Sequence, residues 1–259
     1  MCPGSGELLT RRVVELAQIG GSAKPIDGIA MKFFNTQKHH AVIQPRSAGH
    51  SSGNKTRSRL LDEALRLFSR DGIGAVSIRT IVGEAGAQNL SAVHYHFGNK
   101  NGLVDAIVEQ ICTDLLPAQA AALDALSELE SPTPRDILQS AFVPHLDMAI
   151  GSARGLQQAR FLARLSWEEG ERGQELLMTD VFGHLLTKVD ELLAKALPNK
   201  PREELQMHLM MVLVNVLHGP AEREAILLSP MRPMLRKYAN HPERVREAFF
   251  DYLAAGISC

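Results

Sequence analysis

Leu61, Ala64, Leu65 and Phe68 recur at i, i+3, i+4 and i+7 within TRSRLLDEALRLFSRDGIGA, which marks one face of a helix beginning near Thr56. Asp71-Gly72 stops it. Ser77 suits the N-cap of a second, short helix, SIRTIVGEAG, where Ile78, Ile81, Val82 and Ala85 repeat the spacing. Gly86 fits the left-handed position just past its end. A few residues later a third helix runs through LSAVHYHF, with Leu90, Val93 and Phe97 on its inner face. Three short helices, with a tight turn between the second and third, form the plan of a helix-turn-helix domain.

The remainder of the chain is also helical in pattern. NGLVDAIVEQICTDLLPAQ is amphipathic and is predicted to be interrupted at Pro117, and SPTPR (131–135) is a break. DILQSAFVPHLDMAI, RGLQQARFLARLSWEEG and GQELLMTDVFGHLLTKVDELLAKAL follow, each ended by Gly, Pro or a polar cluster. EELQMHLMMVLVNVLHG (203–219) is apolar nearly all round, which predicts burial on more than one side. ERVREAFFDYLAAGI (243–257) offers Val245, Ala248, Phe249, Tyr252 and Leu253 on one broad face. No segment is β-rich, aromatics are sparse, and Ala and Leu are plentiful, so the expected fold class is all-α. Residues 1–53 hold one short amphipathic piece and then Gly, Ser and Pro, and are expected to form a disordered N-terminal extension.

Charge divides the chain. Residues 46–100 carry 8 Lys/Arg against 4 Asp/Glu, whereas residues 101–259 carry 15 against 22. A basic first part and an acidic remainder suggest that one part meets a polyanion while the other does something else. Cys2, Cys112 and Cys259 make an odd count without CxxC, which argues against a disulfide framework and suits a reducing cytoplasm. No uncharged apolar stretch is long enough to span a membrane, and the N-terminus shows no secretory h-region.

Stepping 100° per residue from Leu90 places Leu90, Val93 and Phe97 on one side of the third helix and Gln88, Ser91, Ala92 and Tyr95 on the other. The outer face is free to enter a major groove, which has room for one helix. Gln88 can pair with adenine, Ser91 can donate or accept, and Ala92 can meet a thymine methyl. Tyr95 can bond a base or a phosphate. Lys100, beside Gly98 and Asn99 where the next helix begins, can hold phosphate, and Arg79, Lys55, Arg57 and Arg59 form a basic rim. His94-x-His96 lacks i, i+4 spacing, so the rings diverge on a helix, and no HExxH or cysteine cluster accompanies them. No metal is expected there. The chain contains no GxSxG, P-loop or GxGxxG, so neither a cofactor nor catalysis is expected.

At these residues the sequence resembles the tetracycline-repressor (TetR) family of transcriptional regulators. That family's DNA-binding domain ends in a pattern close to A-G-V-S-x-G-x-L-Y-x-H-F-x-x-K-x-x-L. Ala85-Gly86 begins it here, Val93 to Phe97 take the Leu-Tyr-x-His-Phe positions, and Lys100 and Leu103 close it. Two departures stand out. AQNLSA is one residue longer than the usual turn and helix start, and His94 replaces the usual tyrosine. The resemblance implies that His94, His96 and Lys100 touch the DNA backbone and that Tyr95 lies at the groove.

The resemblance further implies a helix-turn-helix DNA-binding domain over 54–102 and a larger helical ligand-binding and dimerisation domain over 103–259. A homodimer would pack through the last two long helices, with Met207, Met211, Val214, Val245, Phe249 and Tyr252 at the interface, and would bind a roughly palindromic DNA operator. The middle helices would enclose a pocket for a small, largely apolar effector, with Phe142, His145, Met148, Phe161, Trp167, Met178 and Phe182 as lining. The expected function is that of a repressor released by its effector. Two rival readings are a helical module that contacts another protein, and an all-helical enzyme using Asp147, His145 or His208.

Overall fold

The protein, described here from a computed structural model, is defined over residues 51–87, 89–222 and 241–259. The expectation of a disordered extension falls outside these residues except at 51–53, which belong to the first helix. All regular elements in the described residues are helical. In chain order they are α1 (Ser51–Asp71), α2 (Ile78–Glu84), α3 (Ser91–Phe97), α4 (Lys100–Ser127), α5 (Pro134–Gly151) and α6 (Ala153–Glu168). Next come α7 (Gly170–Leu176), one π-helical turn (Leu177–Val181), α8 (Gly183–Ala196), α9 (Arg202–Ala221) and α10 (Pro242–Ser258).

The head is α1 to α3. The inner face of α1 buries Leu61, Ala64, Leu65 and Phe68 as its spacing predicts, and also Leu60 and Leu67, because α1 packs against α6 as well as its own neighbours. Gly72 ends the helix at φ 101°, a conformation that side-chain-bearing residues rarely adopt. Ser77 caps α2 by accepting the Thr80 N–H at 3.1 Å, and Gly86 follows its end at φ 61°. Arg66 ties α1 to α2 through Glu84 at 2.9 Å.

Two boundaries differ from the sequence reading. Helix α4 runs through Pro117 to Ser127 without interruption. Proline removes one backbone donor and costs about 3 kcal/mol in a helix interior. The Ala-rich turns that follow favour helix, and burial of Leu115 and Leu126 offsets the loss. The stretch 173–197 is two helices joined by the π turn, closed by the Phe182 N–H donating to the Leu177 carbonyl at 2.9 Å. One inserted residue there shifts the phase of everything after it.

The body packs α4 on α5, α5 on α6, α9 on α6 and α10 on α5. On α10 the inward residues are Phe250, Leu253 and Ile257, while Val245 and Tyr252 face outward. A grip from α6 joins body to head. Arg164 donates to the carbonyls of Ser69 (3.0 Å) and Arg70 (2.9 Å) at the end of α1, and to Glu168 at 3.0 Å. Glu168 accepts the Gly74 N–H at 2.9 Å. Phe161 of α6 stacks on Phe68 of α1 with centroids 6.3 Å apart, and Arg154 pairs with Asp62 at 2.5 Å.

Candidate nucleic-acid interface and interior polar site

Helix α3 is seven residues long, so its position comes from packing and caps rather than from its own stability. Its N-cap is Leu90, which offers no side-chain cap, and Asn89 just before it accepts the Ser91 N–H with its side-chain oxygen at 3.0 Å. Because the helix starts at Ser91, Leu90 stands outside it and is 44% exposed rather than inward. Val93 is fully buried and Phe97 half-buried, which leaves the predicted inner face with two members. Ser91 and Tyr95 are exposed and Ala92 is half-buried, on the outer side. Tyr95, 85% exposed, has its ring edge-on to His96 at 4.9 Å. Gln88 lies outside the described residues.

Ser91, Ala92, Tyr95 and His96 line an open groove of about 450 Å³ with Gly53 and Thr56 of α1. Arg57 lies over the Phe97 ring at 5.2 Å, which fixes the start of α1 against the end of α3. Partial burial, and then the nearby Arg57 charge, hold the His96 pKa below its ordinary value. Lys55 and Arg79 are exposed on the same head.

His94 and Lys100 are engaged locally. His94 Nδ1 lies 2.8 Å from the Gly98 carbonyl, which can only accept, so Nδ1 carries the proton. Nε2 is then an acceptor in the neutral ring and can donate to a phosphate only in the imidazolium. The Lys100 ammonium donates to the Gly74 carbonyl at 3.4 Å and lies over the Phe68 ring at 5.6 Å. It is half-buried and ties α4 to the α1–α2 turn, rather than standing free on the rim as the sequence suggested. Asn99 caps α4 through the Gly102 N–H at 3.0 Å, so that N–H is already used. A Cβ on Gly102 would stand 1.9 Å from the Phe97 carbonyl, so only glycine permits this crossing.

The seven residues expected to line a pocket separate into groups. Phe142, His145 and Phe182 come together: the Phe182 ring stacks on His145 at 4.5 Å, and Phe142 meets its edge at 6.4 Å. Met178 is buried in the π turn that leads to Phe182, and Met148 is half-buried on α5. Phe161 belongs instead to the grip on the head. Trp167 is not an interior residue: it is 73% exposed and its Nε1 donates to His218 Nε2 at 2.9 Å. Its place follows from α6, whose inward stripe of Leu162 and Leu165 leaves position 167 on the outer side.

Sequence reasoning missed Gln119, which is fully buried with its Nε2 at 3.5 Å from His145 Nδ1. The available signal was a lone amide on the apolar face of α4. Neither Gln119 Oε1 nor His145 Nε2 has a hydrogen-bond partner. Burial pushes the His145 pKa down to about 3, so the ring is neutral. Arg164 and Glu168 were also missed, although their i, i+4 spacing on one helix face was open to view.

Five of the six expected interface residues are exposed. Met207, Met211 and Val214 are exposed along one face of α9, and Val245 and Tyr252 on α10, which packs beside it. Phe249 is half-buried near Gly219 of α9. Of the residues named for the enzyme reading, Asp147 pairs with Arg246, His145 contacts Gln119, and His208 is half-buried on α9. No hydrogen bond joins any two of these three. No helix of the described residues is long and apolar enough to cross a membrane.

Comparison with known proteins agrees with this architecture. Residues 60–107 match the model of the bacterial regulatory proteins of the tetR family, and residues 140–256 match that of the tetracyclin repressor-like C-terminal domain. A curated relative, the HTH-type nicotine-responsive transcriptional repressor HdnoR of Paenarthrobacter nicotinovorans, is 35% identical over 75 residues. That match covers 29% of this chain and 38% of the relative. Among solved structures, a bacterial regulatory protein in the tetR family from Rhodococcus RHA1 superposes with a TM-score of 0.53 at 16% identity, covering 79% of this chain and 98% of that one. NalD, the secondary repressor of the MexAB-OprM multidrug efflux pump in Pseudomonas aeruginosa, gives 0.51 at 18% identity, covering 80% and 98%. The structural likenesses show the fold, and the two matched models together span both the head and most of the body. The chain belongs to the tetR family of bacterial regulatory proteins.

Proposed function

We propose that the protein is a cytoplasmic, ligand-responsive, DNA-binding transcriptional repressor that holds a palindromic operator as a homodimer. The observation that carries the DNA reading is the outer face of α3. Ser91 and Tyr95 are exposed there without a buried task, while Val93 locks the opposite face. Lys55 and Arg79 supply free cations beside it, and Arg57 sits between α1 and α3. Base reading by Gln88, Ser91, Ala92 and Tyr95, with backbone contacts from Lys55, Arg57, Arg79, His94, His96 and Lys100, remains the proposed division of labour.

Residues 54–102 are the proposed reading domain and 103–259 the proposed sensing and dimerising domain. The strip of Met207, Met211, Val214, Val245 and Tyr252 supports dimerisation, since an exposed apolar face of this extent gains by covering itself with its own copy. Trp167 and His218 extend the strip by one helical turn beyond Val214. The cluster of Phe142, His145, Met178 and Phe182 supports an effector site inside the body, and the α6 grip offers the route from that interior to the head.

Selection of bound sequences from a random duplex library tests the reading, with the wild type and Tyr95→Ala run side by side. A palindromic consensus that fades in the variant is the expected result. No enrichment above background in moderate salt sinks it and favours a helical module that contacts another protein.

A further inference from the structure

We propose that Arg172, together with Glu168, is a positioning residue for DNA reading: from the corner between α6 and α7 the two side chains clasp both ends of the α2–α3 segment and set the angle at which α3 meets a groove. The inference rests on the reading of α3 as the DNA-contacting helix and adds the part of the body that aims it.

Helices α2 and α3 lie between Gly74 and Lys100 in the chain. The two ends of that segment meet, since the Lys100 ammonium donates to the Gly74 carbonyl at 3.4 Å. Each end is also held from the body. Glu168, the last residue of α6, accepts the Gly74 N–H at 2.9 Å and the Ile73 N–H beside it. Arg172, in the first turn of α7, donates to the Asn101 carbonyl at 3.1 Å. It also pairs with Asp105, one turn further along α4, and is braced by Glu169 at 3.2 Å. The amides of Ile73 and Gly74 and the carbonyl of Asn101 are backbone groups, so the clasp fixes where the chain runs. A charged group bonded to a backbone partner makes a stronger bond than a neutral one.

The corner is one piece. Gly170, at φ 55°, turns the chain from α6 into α7. A Cβ on Gly173 would stand 2.1 Å from the Leu165 carbonyl, so α7 lies tight against α6. Arg164, Glu168 and Arg172 therefore share one support, although a break in the helix separates the last from the other two. Past α7 the regular helix gives way to the π turn, which leads to Phe182 against His145 in the interior. A shift of the corner against α8 is taken up at that turn, where regular pairing is already broken. Both ends of the α2–α3 segment then follow the corner.

Base reading depends on the angle of α3, whereas cations on phosphates supply affinity for any sequence. Arg172 and Asp105 are partly exposed, and pairs of this kind add little to stability. Loss of Arg172 is thus expected to cost specificity before it costs fold.

The test uses the full chain, the duplex recovered by selection, and a scrambled duplex of the same composition. In Arg172→Met, affinity for the selected duplex is expected to fall at least about tenfold. Affinity for the scrambled duplex is expected to change less than about twofold, with a melting curve like that of the wild type. Arg172→Lys is expected to recover most of the loss. Asp105→Asn loosens the same arm while removing a negative charge. Charge alone predicts tighter binding of both duplexes there, and the clasp predicts a fall for the selected one only. Hydrogen exchange gives the reciprocal measurement: the selected duplex is expected to slow the amides of 170–181 in the wild type and not in Arg172→Met. Equal falls for both duplexes in Arg172→Met overturn the proposal, as does tighter binding of both by Asp105→Asn. A wild type whose amides at 170–181 ignore the duplex overturns it as well. A wild type that enriches no duplex defeats the DNA reading itself and the role of the clasp with it. A wild type that reads DNA, beside an Arg172→Met variant that reads it equally well, defeats the clasp and spares the regulator.

Discussion

Helix α3 and the body interior each set a histidine against an aromatic ring, on opposite terms. On α3, His96 meets Tyr95 at the surface, and His94 bonds the Gly98 carbonyl. Water or nearby backbone can satisfy every polar atom there. In the body, His145 is stacked under Phe182, held neutral by burial, and one of its nitrogens bonds nothing. Surface residues can take on recognition at little cost to the fold, because the fold does not use them. A polar pair inside the core takes its cost from stability directly. Substitutions at the two kinds of place should therefore separate function from stability in different ways.

The largest effect is expected on the exposed strip. Met211→Asp puts a carboxylate on each copy at the centre of the proposed two-fold interface and leaves the monomer core untouched, since Met211 faces out. Sedimentation equilibrium is expected to show the dimer weakened at least about a hundredfold, on the order of 3 kcal/mol. Helical content should remain unchanged. A variant that sediments as the wild type does would remove this strip as the interface.

Next in size is the link between the compared regions. Arg164→Met keeps the side-chain stem but frees the Ser69 and Arg70 carbonyls and leaves Glu168 without its cation. Burial raises the Glu168 pKa, but the Gly74 N–H and Arg164 outweigh this and hold it below the ordinary range, so the grip depends on its charge. Loss of about 2 to 3 kcal/mol in urea unfolding is expected, as for charged hydrogen bonds lost at a part-buried site. Amide exchange should rise in α1 to α3 before it rises in α4 to α9. Equal loosening of both regions would mean that the grip does not separate them.

The same contrast explains what the sequence made legible. Helical periodicity located α1 and α2, because a core-facing stripe is written in the spacing of residues close in the chain, while α5, α6 and α9 were readable as apolar-rich runs ended by Gly, Pro or polar clusters. The caps at Ser77 and Gly86 were readable for the same reason. Pro117 misled because packing of the following turns overrides a local rule. The π turn shifted the phase at Phe182, which no window of regular spacing contains. Tyr95 could be placed by counting along one helix. Gln119 could not, because its meaning comes from His145, 26 residues away on another helix. Trp167 was assigned by residue type, and type alone does not say which side of a helix reaches solvent.

A smaller effect, carried by the interior, is expected from acid. The unfolded chain takes up a proton at an ordinary imidazole pKa near 6.5, whereas folded His145 resists it down to about 3. Between those values the unfolded state binds more protons, so stability is complete above 6.5 and falls as pH falls. The His145 contribution lost by pH 5 is about 2 kcal/mol. His96 and His218, both shifted downward chiefly by burial, add in the same direction. The lowered carboxylates Asp71, Asp136 and Glu168 act at more acid pH, and Asp190, raised chiefly by burial, acts against the histidines, so the His145 share is read from the variant rather than from the wild type alone. Urea midpoints between about pH 6.5 and 5 should slope steeply in the wild type and more gently in His145→Phe. Parallel slopes would mean that His145 charges freely in the folded protein.

The smallest effect is expected at Tyr95, where the comparison is sharpest. Its ring is almost wholly exposed, and its one ring contact is the edge of His96. Removing an exposed aromatic edge contact costs no more than about 0.5 to 1 kcal/mol. Alanine returns roughly half a kcal/mol through its better helix propensity. The two nearly cancel, so Tyr95→Ala should melt within about 1 °C of the wild type, a shift worth well under 0.5 kcal/mol. Specific DNA affinity should nevertheless drop about tenfold or more, the scale of one lost base or phosphate contact. A large fall in melting temperature would place Tyr95 among the residues that hold α3 in position. The surface of the reading helix would then resemble the interior after all, with recognition and stability drawn from the same side chain.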